Sequence, residues 1–80
     1  MMMVSRDLPK NGEIWKHFKG NSYRIITMAE NTETGELCVV YEAMYGDHKN
    51  YVRPTDMFMS EVDHDKYPDV KQEYRFEKVK

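Results

Sequence analysis

The run from Leu37 to Met44, LCVVYEAM, constrains this chain more than any other stretch: seven of its eight positions are apolar, Glu42 being the exception. A strand with one solvated face alternates apolar with polar, so a nearly unbroken run of this length reads as a bent strand serving core on both faces. Turn residues bound it. Upstream, Glu30-Asn31-Thr32-Glu33-Thr34-Gly35-Glu36 is polar with a glycine near its end, a hairpin loop that sets the register of Tyr23 to Ala29 against Leu37 to Met44. Downstream, Gly46-Asp47-His48-Lys49-Asn50 is a second turn.

The flanking stretches supply partners for this strand. Tyr23 to Ala29, YRIITMA, is rich in β-branched and aromatic residues, and strict alternation puts Tyr23, Ile25, Thr27 and Ala29 on one side with Arg24, Ile26 and Met28 on the other. Glu13 to Phe18 is a short strand that bends near Phe18 and runs into the turn Lys19-Gly20-Asn21-Ser22. Asn50 to Arg53 is a short strand ended by Pro54, which has no N–H to give a ladder. Pro54 to Phe58 reads as one helical turn, with Thr55 or Asp56 as its cap and Met57 and Phe58 plugging an open end of the fold. Asp63 to Asp69 is a charged loop without a core, and Tyr74 to Val79 is a last strand held by Phe76. Five short strands at roughly ten-residue spacing, with one helical turn before the last, predict an all-β fold, a small SH3-like barrel or rolled sheet of that kind. It would occupy residues 12–80 behind a mobile N-terminal arm at residues 1–11. An OB-like barrel would need a longer chain and a proper helix.

Eighty residues make one domain, and at this size folding buries only about 60% of the unfolded surface, so stability is marginal. Cys38 is the only cysteine, which excludes an intramolecular disulfide, and its place within LCVVY reads as a buried, inert thiol. No apolar stretch approaches the ~18 residues that cross a bilayer, and Met1 to Gly12 has no secretory h-region. A soluble cytoplasmic protein, monomeric or weakly dimeric and without membrane contact, is expected. Twelve bases against fourteen acids leave a net charge of −2, which disfavours phosphate backbones as partners of the whole chain. The distribution is uneven: from Lys10 to Arg24 four bases (Lys10, Lys16, Lys19 and Arg24) stand against Glu13 alone, while Ile25 to His48 holds five acids and no base.

Taken together, Trp15-Lys16-His17-Phe18-Lys19-Gly20 with Tyr23, Glu33-Thr34, Val39-Val40-Tyr41, Tyr45-Gly46, Val52-Arg53-Pro54, Met57-Phe58 and Arg75-Phe76-Glu77 resemble the small bacterial family catalogued as domain of unknown function 1653. The resemblance covers Gly12 to Lys78. It implies an SH3-type barrel in a stand-alone bacterial protein and no particular activity. Asn31 and Thr32 stand where that family commonly has His and Ser, and Tyr51 where it commonly has Trp, so no role built on a histidine of that loop carries over.

Chemistry-bearing residues are few. His17, His48 and His64 with Cys38 show no metal-ligand spacing, and no cofactor is implied. Ser22 and Ser60 lack a nucleophile's context, and the glycines stand singly rather than in a phosphate-cradling loop, so an enzyme is the third reading. Tyrosine offers a flat face together with a hydroxyl, and Arg53, between Val52 and Pro54, carries its guanidinium fork on an extended backbone. His17, Tyr45, Tyr51 and Arg53 are therefore the candidate ligand-binding set of a non-catalytic module for a peptide segment or small ligand. The competing reading of Arg53 is an internal ion pair with Glu42 or Asp56. The alternative function is a nucleic-acid-associated barrel using a positive rim of Lys16, Lys19 and Arg24 beside Arg53.

Overall fold

A computed structural model describes residues 6–80 and contains five antiparallel strands and one helical turn. The strands are β1 (Ile14–His17), β2 (Ser22–Glu30), β3 (Leu37–Ala43), β4 (Asn50–Pro54) and β5 (Phe76–Lys78), and the turn α1 (Thr55–Phe58) lies between β4 and β5. They form one sheet in the order β4-β3-β2-β1-β5. Among the described residues, no helix is long and apolar enough to cross a membrane.

The apolar run behaves as expected at its centre. Val39 and Tyr41 of β3 join Trp15, Ile25, Phe58 and Phe76 in the core, while Glu42 points to the other side. Strand β2 departs from simple alternation. Its register against β3 shifts between Ile25 and Thr27, which leaves Ile26 as the extra residue of a bulge. Tyr23 and Ile25 face the core before the bulge and Met28 packs against it afterwards, so the regular two-sided division of this strand holds only up to Ile25.

The all-β sheet with one short helical turn is as expected from the sequence, and of the two forms expected it is the rolled sheet, not closed into a barrel. Edge strands β4 and β5 lie four steps apart, roughly 19 Å in a flat sheet at ~4.8 Å per step. Yet the Arg53 guanidinium of β4 lies 5.7 Å from the centre of the Phe76 ring of β5. Side chains therefore span the gap that a ladder would have closed. The reason is local: β4 ends in Pro54, which has no N–H to donate, and β5 is only three residues long.

Turn α1 plugs the roll with Phe58, not with Met57, which is about half exposed, while Met59 just past the turn packs against the core. Neither expected cap forms. Pro54 occupies the cap position, and the Thr55 hydroxyl donates to Leu37 O at 2.8 Å, tying α1 to the start of β3. Of the arm expected at residues 1–11, residues 1–5 lie outside the described residues. Within the remainder, Pro9 is buried, and Arg6 donates to Met59 O at 2.9 Å and Phe76 O at 2.7 Å with its guanidinium over the Tyr74 ring. The charged loop after α1 is also anchored, by buried Val62, whose N–H donates to Glu73 O, and by the Gln72 amide, which donates to Lys16 O and Tyr74 O.

Candidate functional site

Antiparallel order places the end of β1, the start of β2, the end of β3, the start of β4 and the start of β5 at one end of the roll. Each strand contributes a side chain to a hollow of about 230 Å³ there, formed by His17, Tyr23, Tyr41, Tyr45, Tyr51, Arg53 and Phe76. The four side chains singled out from the sequence as ligand-binding are among them. Period-two geometry explains how Tyr51 and Arg53 come to share it. Tyr51 pairs with Tyr41 and Arg53 with Val39, so both project to the concave face, while Val52 between them is left 65% exposed on the outside.

The tyrosines support one another. Tyr23 stands edge-on to Tyr41, Tyr45 and Tyr51, with centroids 5.3, 5.7 and 6.4 Å away. Its hydroxyl shares a hydrogen bond of 2.9 Å with that of Tyr45. Burial, followed by this hydrogen bond and the neighbouring phenols, raises the pKa of Tyr23, so its hydroxyl stays protonated at neutral pH. Tyr41 belongs to the core, whereas Tyr51 is 40% exposed at the lip.

Arg53 forms the floor. Its Nε donates to the Tyr41 hydroxyl at 3.2 Å, and neither Glu42 nor Asp56 pairs with it. Glu42 is instead occupied by Arg24 and lies 3.6 Å from His48 Nδ1. The terminal nitrogens of Arg53 make no hydrogen bond to the described residues, which leaves the outer half of its fork available.

His17 forms one wall, its ring 4.8 Å from that of Phe76. Nδ1 accepts from the Lys19 backbone N–H at 3.1 Å, so the neutral ring carries its proton on Nε2 and is a donor there. Burial, then the charges of Arg53, Lys19 and Arg75, pushes the His17 pKa down to about 4. The imidazole is thus neutral at physiological pH and adds a hydrogen-bond donor without adding charge.

The three bases proposed as a rim separate. Lys16 sits across the β1–β5 ladder from Glu77, and Arg24 is ion-paired with Glu42 on the outer face. Only Lys19 turns toward Arg53. What the sequence reading missed is the other bank of that region, Lys66, Tyr67 and Arg75, brought beside His17 by the long segment between α1 and β5. Their residue types carried no periodic signal, and only Phe76 next to Arg75 marked the neighbourhood. Two further hollows flank Arg6, of about 410 and 440 Å³, but their central groups already have partners. Arg6 holds two carbonyls and the Tyr74 ring, while Glu13 accepts from Trp15 Nε1 at 3.0 Å and pairs with Lys78.

Comparison with known families adds a framework for these residues. The model of a family described as "Protein of unknown function (DUF1653)" matches residues 13–78, a span that includes every side chain of the hollow. No curated protein and no solved structure matches the chain. With all five strands and the whole site inside the matched span, the chain belongs to the DUF1653 family.

Proposed function

We propose that this protein is a small non-catalytic binding module whose tyrosine cradle receives a short anionic ligand, either a segment of peptide or a small molecule. The observation that carries this reading is the outer fork of Arg53, unpaired among the described residues and held at the floor of a tyrosine-walled hollow by Tyr41. Such a fork matches a carboxylate or phosphoryl group through two parallel hydrogen bonds. A volume of about 230 Å³ falls below the ~300–1,000 Å³ of sites that enclose a drug-sized ligand, which favours one side chain or one compact group over a whole cofactor. Tyrosine, histidine, arginine and phenylalanine are its lining residue types, which offer a ligand flat faces, hydroxyls and a guanidinium fork.

The strand order, with α1 placed between β4 and β5, supports an SH3-like reading of the roll, and a cytoplasmic bacterial protein remains the setting we infer. A nucleic-acid-associated role draws less support, because Arg24 is paired with Glu42 and Lys16 faces Glu77 across a ladder. The test is an NMR titration of the full chain with short peptides bearing a free C-terminal carboxylate and with benzoate. Shifts centred on Tyr45, Tyr51 and Arg53 are expected, and they should vanish in Arg53→Met. If every probe leaves these amides unmoved, the cradle is not a carboxylate site; affinity for single-stranded RNA that falls steeply between about 50 and 200 mM salt would favour the alternative.

A further inference from the structure

Beside the cradle, and sharing His17 and Arg53 with it, lies a groove of about 320 Å³ whose other walls are Phe18, Lys19, Asp63, Lys66, Tyr67 and Arg75. Four bases face one acid there, a local excess of about +3 in a chain whose net charge is −2. None of the four bases takes part in the ion pairs formed among the described residues, which join Arg24 and His48 to Glu42 and Lys78 to Glu13. Asp63 is turned to another task, its Oδ1 accepting the backbone N–H groups of Asp65 and Lys66 at 3.1 and 3.2 Å.

The bases are gathered on an aromatic floor rather than scattered in solvent. Phe18 lies 4.4 Å from the His17 ring and 5.0 Å from that of Tyr67. The ammonium groups of Lys19 and Lys66 stand 5.6 and 5.5 Å from the centre of the same Tyr67 ring. Two like charges over one ring repel, and the guanidinium groups of Arg53 and Arg75 bound the same groove. An arrangement that sets four cations against one carboxylate is unfavourable by itself and becomes favourable once an anion enters.

We propose that this groove is a subsite for the phosphoryl group of a small phosphomonoester whose organic part extends into the tyrosine cradle. A phosphomonoester dianion answers the local excess of charge better than a single carboxylate, and its oxygens suit two arginine forks and two lysine point charges together. Neutral His17, with its proton on Nε2, supplies a further donor at the junction of the two hollows. Burial first, and then the positive charges of Arg53, Lys19 and Arg75, hold the His17 pKa down, so the ring adds no further cation to the groove. The placement of the organic part rests on the cradle reading above, whereas the anion subsite stands on its own residues.

Calorimetric and NMR titrations of the full chain with inorganic phosphate and with phenyl phosphate, in a low-salt buffer free of other dianions, test both parts separately. Inorganic phosphate should shift Lys19, Lys66 and Arg75, and Arg75→Gln should weaken it roughly tenfold or more. The double change Lys19→Gln with Lys66→Gln should do likewise, and both lysines are exposed, so this variant serves if Arg75→Gln disturbs folding. Tyr51→Leu should leave inorganic phosphate binding within about twofold while reducing the advantage of phenyl phosphate. Absence of phosphate binding, equal binding of acetate, or affinity unchanged by both groove variants would overturn the subsite. Retained phosphate binding with no preference for phenyl phosphate would overturn the cradle's part alone.

Discussion

Phe58 and Phe76 stack face to face, their ring centres 4.0 Å apart and their planes 7° from parallel. One ends α1 and the other begins β5, so a single ring pair fastens the helical turn to an edge of the open sheet. Both are almost fully buried, with Trp15 set edge-on to Phe58 at 5.6 Å and Tyr41 against both rings at 5.3 and 5.6 Å. The core lies where the two unpaired edges approach each other, and it substitutes packing for the missing ladder.

Phe76→Ala should therefore cost roughly 3–5 kcal/mol, as truncation of a buried phenylalanine commonly does. A core of this size supplies a similar margin, so the variant should be largely unfolded at room temperature. Circular dichroism on heating is the check, and a melting temperature equal to that of the wild type would show that β5 is not part of the core.

Arg53 leads to the opposite expectation. Its one internal hydrogen bond goes to the Tyr41 hydroxyl, so Arg53→Met should cost only about 0.5–1.5 kcal/mol in urea unfolding. A loss above about 3 kcal/mol, the level at which breaking a buried ion pair shows itself, would mean the side chain is structural and not held for a ligand.

Protonation of His17 should make stability depend on pH in a defined window. With a folded pKa of about 4 against an ordinary 6.5, the unfolded chain takes up this proton first as the pH falls. Stability from this group is complete above 6.5 and is lost progressively toward 4. In phosphate-free buffer the melting temperature should fall across that interval, and His17→Gln should flatten the fall; an unchanged slope would remove His17 as its source.

Glu13 acts lower on the scale. Burial opposes its ionisation but is outweighed by hydrogen bonds from Trp15 and from the Lys10 N–H and by Lys78, so its pKa lies below 4.5. The stability it provides is present above 4.5 and is lost as the pH falls further, which leaves the upper part of the His17 window free of it.

Arg6 ties the N-terminal segment to α1 and β5 through two carbonyls and the Tyr74 ring. Hydrogen bonds from a charged donor contribute about 1.5–3 kcal/mol, so Arg6→Met should lower stability by about 2 kcal/mol while keeping most of the side chain's volume. Hydrogen exchange at Phe76 and Lys78 should quicken in parallel. No change in either measurement would show that this contact carries little weight.

Much of the site was readable because it obeys local rules. Tyr51 and Arg53 are two apart on a strand, so they share a face, and Pro54 holds the backbone of Arg53 extended. The cationic groove's second bank was not readable in this way. Lys66, Tyr67 and Arg75 sit in a segment with no alternation, and their place was decided by Val62, Gln72 and the Phe18–Tyr67 contact. Ile26 gave a similar surprise, since a bulge leaves no mark in a run of β-branched residues and appears only when the partner strand sets the register.

By itself, the sequence determined the strands, their hairpins, the turn after Pro54 and the aromatic residues that fill the core, because periodicity and turn chemistry act over a few residues. Only the tertiary structure decided that the sheet rolls without closing, that Arg53 keeps its fork free while Glu42 goes to Arg24, and that four bases converge beside His17. Those outcomes depend on which distant side chains the rolled sheet brings within reach of one another, and no local preference encodes the competition of two arginines for one carboxylate.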